Sequence, residues 1–85
     1  MPWSIQWTDQ AVRDLAGLDV AVARRIVAKL EQAAENPLHF LARLAGSDEF
    51  KLRIGAYRLL ALLSHGERTI LVERVGHRSR VYRRG

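Results

Sequence analysis

The chain has 85 residues, of which 48% are apolar, with 14 Lys and Arg against 9 Asp and Glu and no cysteine, for a formal net charge of +5. That length holds one core and therefore one domain, 1–85, and the apolar fraction separates it from disordered basic tails. Without cysteine there is no disulfide framework or thiolate chemistry, the histidines His39, His65 and His77 lack metal-ligand spacing, and the longest apolar run, Leu59 to Leu63, is too short to span a bilayer. The N-terminus carries no basic region followed by an apolar core, so a cytoplasmic protein with no metal, no cofactor and no membrane partner is expected.

Trp3, Ile5 and Trp7 alternate with Ser4 and Gln6, the period of a half-buried strand. Thr8 is placed as an N-cap, and Ala11, Val12, Leu15 and Leu18 fall at helical spacing, giving a first helix from about Asp9 to Ala16. After Gly17, Asp19 caps a second helix whose stripe is Val22, Ile26, Val27, Leu30 and Ala33 or Ala34. It stops near Asn36, because the residue before Pro37 is pushed out of the α region. Residues 37–48 read as a loop that tucks Leu38, Phe40, Leu41 and Leu44 under the sheet. Three strand-like runs follow, Phe50 to Ile54, Tyr57 to Ser64 and Arg68 to Val75, joined by Gly55-Ala56 and by His65-Gly66-Glu67. The expected fold class is α+β. A small antiparallel sheet, the N-terminal strand at an edge plus a three-stranded C-terminal meander, carries an N-terminal αα hairpin on one face.

Charge is divided unevenly along this order. From Lys51 onward there are nine Lys and Arg against Glu67 and Glu73, whereas residues 1–50 carry five against seven acids. Such polarity points to a polyanion met by one face, with nucleic acid the leading candidate. If Gly55-Ala56 is a two-residue turn, Arg53 faces Arg58 and Lys51 faces Leu60, so Lys51, Arg53 and Arg58 share the face away from Leu52, Ile54, Tyr57 and Leu59. Like charges directly opposed cost a few tenths to about 1 kcal/mol. A phosphate ligand repays that cost, since Arg presents a planar fork to two phosphate oxygens. The alternative is a solvated cationic edge that discourages aggregation.

The terminal run adds His77, Arg78, Arg80, Tyr82, Arg83 and Arg84. Histidine is the side chain type best suited to give or take a proton, which makes His77 a candidate, and Tyr82 has a ring that can stack on a base, while an exposed loop histidine and a tyrosine covering the sheet are the plainer readings. His39 and His65 fall in a loop and a turn, and Trp3 and Trp7 read as core rather than as base-stacking groups.

The segment Phe50-Lys51-Leu52-Arg53-Ile54-Gly55-Ala56-Tyr57-Arg58-Leu59-Leu60, followed by Ile70-Leu71-Val72-Glu73-Arg74-Val75-Gly76-His77-Arg78 and Val81-Tyr82, resembles the RelE/ParE superfamily of toxin–antitoxin toxins. The strand at Trp3, the helix through Ala11-Val12-Arg13-Asp14-Leu15 and the Asn36-Pro37 stop extend the resemblance over essentially the whole chain. RelE-like members cut mRNA in the ribosomal A site, and ParE-like members poison DNA gyrase. The RelE-like branch is favoured, because Lys51, Arg53, Arg58, Arg78 and Tyr82 stand where that branch keeps its catalytic cluster. Arg53 departs from relatives that have Lys, which leaves a cation that does not readily transfer a proton.

The resemblance implies the toxin of a type II toxin–antitoxin system, a ribosome-dependent endoribonuclease (mRNA interferase) in which a 2′-OH attacks the adjacent phosphorus without a metal. In that chemistry Arg58 stabilises the non-bridging oxygens, Lys51 and Arg53 orient the backbone, and Arg78 binds phosphate or the leaving group. Tyr82 stacks or acts as base, His77 is the reserve proton-transfer group, and Arg80, Arg83 and Arg84 bind RNA phosphate. The implied partners are a cognate RelB-like antitoxin, the ribosome and mRNA. A gyrase-directed ParE-like toxin and a non-catalytic nucleic-acid-binding relative are the alternatives.

Overall fold

The structure is a computed structural model and is described for residues 1–80. Its elements are β1 (Ser4–Trp7), α1 (Asp9–Ala16), α2 (Val20–Ala33), α3 (Pro37–Phe40), β2 (Ala42–Arg43), β3 (Glu49–Ile54), β4 (Tyr57–Ser64) and β5 (Thr69–His77). The strands form one five-stranded sheet in the order β1-β5-β4-β3-β2. The α+β class and the edge position of β1 are as the sequence predicts. The sheet, however, is mixed rather than antiparallel, because β1 runs parallel to β5. Alternation of apolar residues assigns faces to a strand but not its direction, so nothing in Trp3 to Trp7 could have fixed this.

Both long helices begin with side-chain caps. Thr8 Oγ1 accepts from the Ala11 amide and Asp19 from the Ala21 amide. Their apolar stripes meet one face of the sheet, where Ala11, Ile26, Leu30 and Ala33 pack with Leu52, Ile54, Leu59, Ala61, Ile70, Val72 and Val75. Trp3 and Trp7 are partly buried against this core, as expected. Residues 37–48 are more ordered than a loop. Pro37 starts the one-turn helix α3, Leu41 is buried, and Ala42 and Arg43 pair with Lys51 and Phe50, while Leu38, an expected anchor, stays exposed.

The regular ladder between β4 and β5 is interrupted once. Leu60 pairs with Arg74 and Ala61 with Val72, which leaves Glu73 as an extra residue, a β-bulge. The bulge shifts the alternation of β5 by one, so Val72 and Val75 both reach the core. Here β1 ends, and α1 takes over the edge of β5. The Thr8 amide donates to the Val72 carbonyl at 3.0 Å, and Thr8 Oγ1 donates to the Glu73 carbonyl at 3.0 Å. Asp14 Oδ2 accepts from the Val75 amide at 3.0 Å and from Arg74 Nε at 2.9 Å.

The Asp14 side chain is only 12% exposed. Burial pushes its carboxyl upward, but the Val75 amide, Arg74 and Gln10 outweigh that and hold its pKa below the ordinary value of 3.8. A depressed carboxylate pKa means the contribution is present above the ordinary value and is lost as pH falls through the lower folded value. Replacing Asp14 with Ala leaves the Val75 amide unmet and should cost about 1–3 kcal/mol of unfolding free energy near neutral pH. Urea titration at several pH values checks it, with the gap between variant and wild type closing only in strong acid.

Candidate nucleic-acid interface

Opposite the helices, the other sheet face is built in cross-strand rows set by register. The hairpin turn Gly55-Ala56 has Gly55 at φ 60°, the left-handed conformation that a first central turn residue adopts most readily as glycine. Ile54 then pairs with Tyr57, Arg53 with Arg58, Leu52 with Leu59 and Lys51 with Leu60, as the sequence predicts. Because of the bulge, Arg58 meets Gly76 and Leu60 meets Arg74 on β5. Two rows result, Arg53-Arg58-Gly76 and Lys51-Leu60-Arg74.

Leu60 is 2% exposed although no helix lies over this face. Lys51 flanks it on β3 and Arg74 on β5, where the Arg74 guanidinium is turned to Asp14 of α1. Lys51 and Arg58 are half-buried and Arg53 is exposed. Arg78 follows β5 in an exposed turn, and its amide donates to the Ala56 carbonyl at 2.9 Å, which fastens this turn against the β3–β4 hairpin. Arg80 lies two residues on, its amide bonded to the His77 carbonyl at 2.8 Å. Lys51, Arg53, Arg58 and Arg78 are thus gathered at one end of the sheet. Tyr82, Arg83 and Arg84 lie outside the described residues.

His77 falls elsewhere. Its register partner is Tyr57, whose ring it meets edge-on with centroids 5.6 Å apart, and Tyr57 packs against the core. That is the helix side of the sheet, across from Arg58. His77 Nδ1 lies 2.8 Å from Ser79 Oγ and 3.2 Å from the Ser79 amide nitrogen, which donates to it, so this ring nitrogen organises the turn.

The sequence reading missed a carboxyl pair on the face itself. Glu73, the bulge residue, stands beside Glu49 of β3, and Glu73 Oε1 is buried without a hydrogen-bond partner. Burial raises the Glu73 pKa above the ordinary 4.5, and the Glu49 carboxyl raises it further. A signal for the bulge was present in the chain. Val72-Glu73-Arg74-Val75 sets two polar residues between apolar ones three apart, a spacing that the period of two of a regular strand does not give. Among the described residues no group of three or more His, Cys, Asp or Glu is placed to hold a metal ion.

These features define a small α+β domain with helices on one sheet face and clustered cations on the other. A family model described as the ParE toxin of the type II toxin–antitoxin system parDE matches residues 5–82. Toxin RelG of Mycobacterium tuberculosis is 33% identical over 89 residues, covering 99% of this chain and 100% of the relative. In the M. tuberculosis RelBE2 toxin–antitoxin complex, a chain 28% identical superposes with a TM-score of 0.82, covering 92% of this chain and all of that one, 100%. The intact E. coli RelBE complex, at 21% identity, shares the fold with a TM-score of 0.78 over 95% of this chain and 99% of that one. The chain belongs to the RelE/ParE family of type II toxin–antitoxin toxins.

Two outcomes follow for the face. Arg53→Glu replaces an opposed like pair with an opposite one, and should raise stability by about 0.2–1 kcal/mol while weakening any binding of a polyanion to this face and flattening its salt dependence. Denaturation and filter-binding titrations read the two effects separately. For Glu73 the sign is the reverse of Asp14: with a raised folded pKa, stability is full below the ordinary value and declines as pH rises through the folded one. Glu73→Gln should therefore be more stable than wild type at pH 7–8 and lose that advantage in acid, measured by urea unfolding across pH.

Proposed function

We propose that this chain is a ribosome-dependent mRNA interferase that cleaves mRNA in the A site, and that a RelB-like antitoxin neutralises it. The observation that carries the reading is the opposed pair Arg53 and Arg58, with Lys51 one register step away and Arg78 fastened beside the turn. Such an arrangement brings several cations toward one phosphate, and an Arg fork can hold two of its oxygens at once.

In the reaction, the 2′-OH loses its proton and its oxygen bonds to the adjacent phosphorus. The P–O5′ bond breaks and the 5′ oxygen takes up a proton, leaving a cyclic phosphate and a free 5′-OH. Charge grows on the non-bridging oxygens during this exchange, and a fixed guanidinium aimed there lowers the barrier without reorganising. Arg58 takes that role: it is half-buried and central in its row, so its position is constrained from both neighbouring strands. Lys51 and Arg53 hold the backbone on either side, with Lys51 easing proton removal, and Arg78 meets the phosphate or the leaving group. Tyr82 stacks on the base or accepts the proton, Arg80, Arg83 and Arg84 extend the phosphate contacts, and His77 recedes from the proton-transfer role because of its side of the sheet.

A second reading, poisoning of DNA gyrase, is favoured by the ParE description of the matching family model. The antitoxin follows from the family and from the complexes in which its structural neighbours were solved, RelBE2 of M. tuberculosis and RelBE of E. coli among them.

The deciding experiment maps 5′ ends on a defined mRNA on programmed ribosomes. Cuts confined to the A-site codon, requiring ribosomes and reduced about 100- to 1000-fold in Arg58→Ala, are expected. Intact mRNA together with gyrase-trapped broken DNA would assign the protein to the gyrase branch instead.

A further inference from the structure

The helix-free face does not end at its cations. Beyond the bulge, a third row crosses four strands, Gln6 of β1, Leu71 of β5, Leu62 of β4 and Glu49 of β3, and a fourth joins Ser4, Thr69 and Ser64. Between these rows and the β4–β5 turn lies a cup of about 570 Å³, whose lining includes Gln6, Leu62, Ser64, His65, Thr69 and Leu71. It stands four residues along β4 from Arg58, roughly 13 Å at the rise of a strand.

The chemistry of this cup differs from that of the rows above it. Its rim carries Asp48 and Glu67, and its one cation, Arg43, is already bound to Asp48 at 3.0 Å. A phosphate gains nothing here. The floor is two leucine side chains, and around it stand groups that both donate and accept: the Gln6 amide, the Ser64 hydroxyl and the Thr69 hydroxyl, whose proton goes to the Glu67 carbonyl at 3.2 Å and leaves its lone pairs open. The Gln6 amide has no side-chain hydrogen-bond partner among the described residues. His65 forms one wall, steadied edge-on against Trp3 with ring centroids 5.4 Å apart. An uncharged, flat group with a polar edge fits an apolar floor ringed by such groups, within the size range of small-ligand sites.

We propose that this cup is a nucleobase subsite: it seats one base of the single strand whose scissile phosphate lies at Arg58, and it reads that base through Gln6 and Thr69. The proposal rests on the RNA-cleaving reading and deepens it, assigning base preference to the far end of the same face. RNA rather than a partner peptide is favoured because the cup shares the open face with the cationic rows, past the Glu49–Glu73 pair, so one strand can place phosphates over Arg53 and Arg58 and an uncharged base over Leu62 and Leu71.

The test is 5′-end mapping over an mRNA pool randomised around the A-site codon, comparing wild type with Gln6→Leu and Thr69→Val. Wild type should favour certain bases at one position, and the ratio of favoured to disfavoured cuts should fall about tenfold in Gln6→Leu, the discrimination of one good amide-to-base contact. A wild type without preference, or the same preference in both variants, overturns the proposal. Should wild type cleave nothing, the nuclease reading fails, and the cup is decided by binding. Leu62 and Leu71 methyl resonances are followed while a 2′-O-methyl oligoribonucleotide, its abasic counterpart or an acidic peptide is added. Shifts produced by the full strand and lost with the abasic one support a base subsite. Equal shifts with both strands, none at these methyls, or shifts with the peptide alone overturn it.

Discussion

The β-bulge at Glu73, held by α1, is the constraint on which the rest of the arrangement depends. Strict alternation from Ile70 and Val72 would carry Arg74 and Gly76 into the core and His77 onto the open face. One inserted residue reverses all three. The reversal is maintained because Thr8 and Asp14 satisfy the backbone groups that the bulge and the end of β1 leave unpaired, at Val72, Glu73 and Val75. A helix cap, a sheet edge and the composition of the cationic face are therefore one structural event.

The face assembled in this way contains its own opposition. Arg53 and Arg58 stand opposite each other across the hairpin, and Glu73 crowds Glu49, which stands two rows away. Neither conflict is needed for folding, since the main hydrophobic cluster lies on the helix side, with Leu60 buried on the other. Conflicts that a fold does not require concentrate where a ligand resolves them. The two pairs divide the face by charge, so a polyanion is drawn to the hairpin end and only a neutral group settles beyond the carboxyls.

Legibility in the sequence followed the locality of the determinant. The hairpin from Lys51 to Leu60 was readable to the residue, because a two-residue turn leaves one register and the apolar set Leu52, Ile54, Tyr57 and Leu59 fixes its face. Both helices were equally plain from Thr8, Asp19 and their stripes. The parallel course of β1 rests on long-range pairing that leaves no periodic trace, and β2, two residues long, is too short to show a period. The side of the sheet that His77 takes was not legible for a different reason: it depends on a bulge four residues earlier, marked only by the polar doublet Glu73-Arg74. Glu49 and Glu73 become a pair only once β4 is laid between β3 and β5.

The pairing of β1 with β5 also sets an order in time. Thr8 and Glu73, which bond across the bulge, are 65 residues apart in the chain. During synthesis the first strand and helix must wait until β5 has been made before their partners exist, and contacts of such separation are slow to form. The cationic hairpin emerges earlier, but until β5 docks, Arg58 has a neighbour on only one side. A nascent chain thus carries the charges of the hairpin without the geometry of the finished face until β5 is in place.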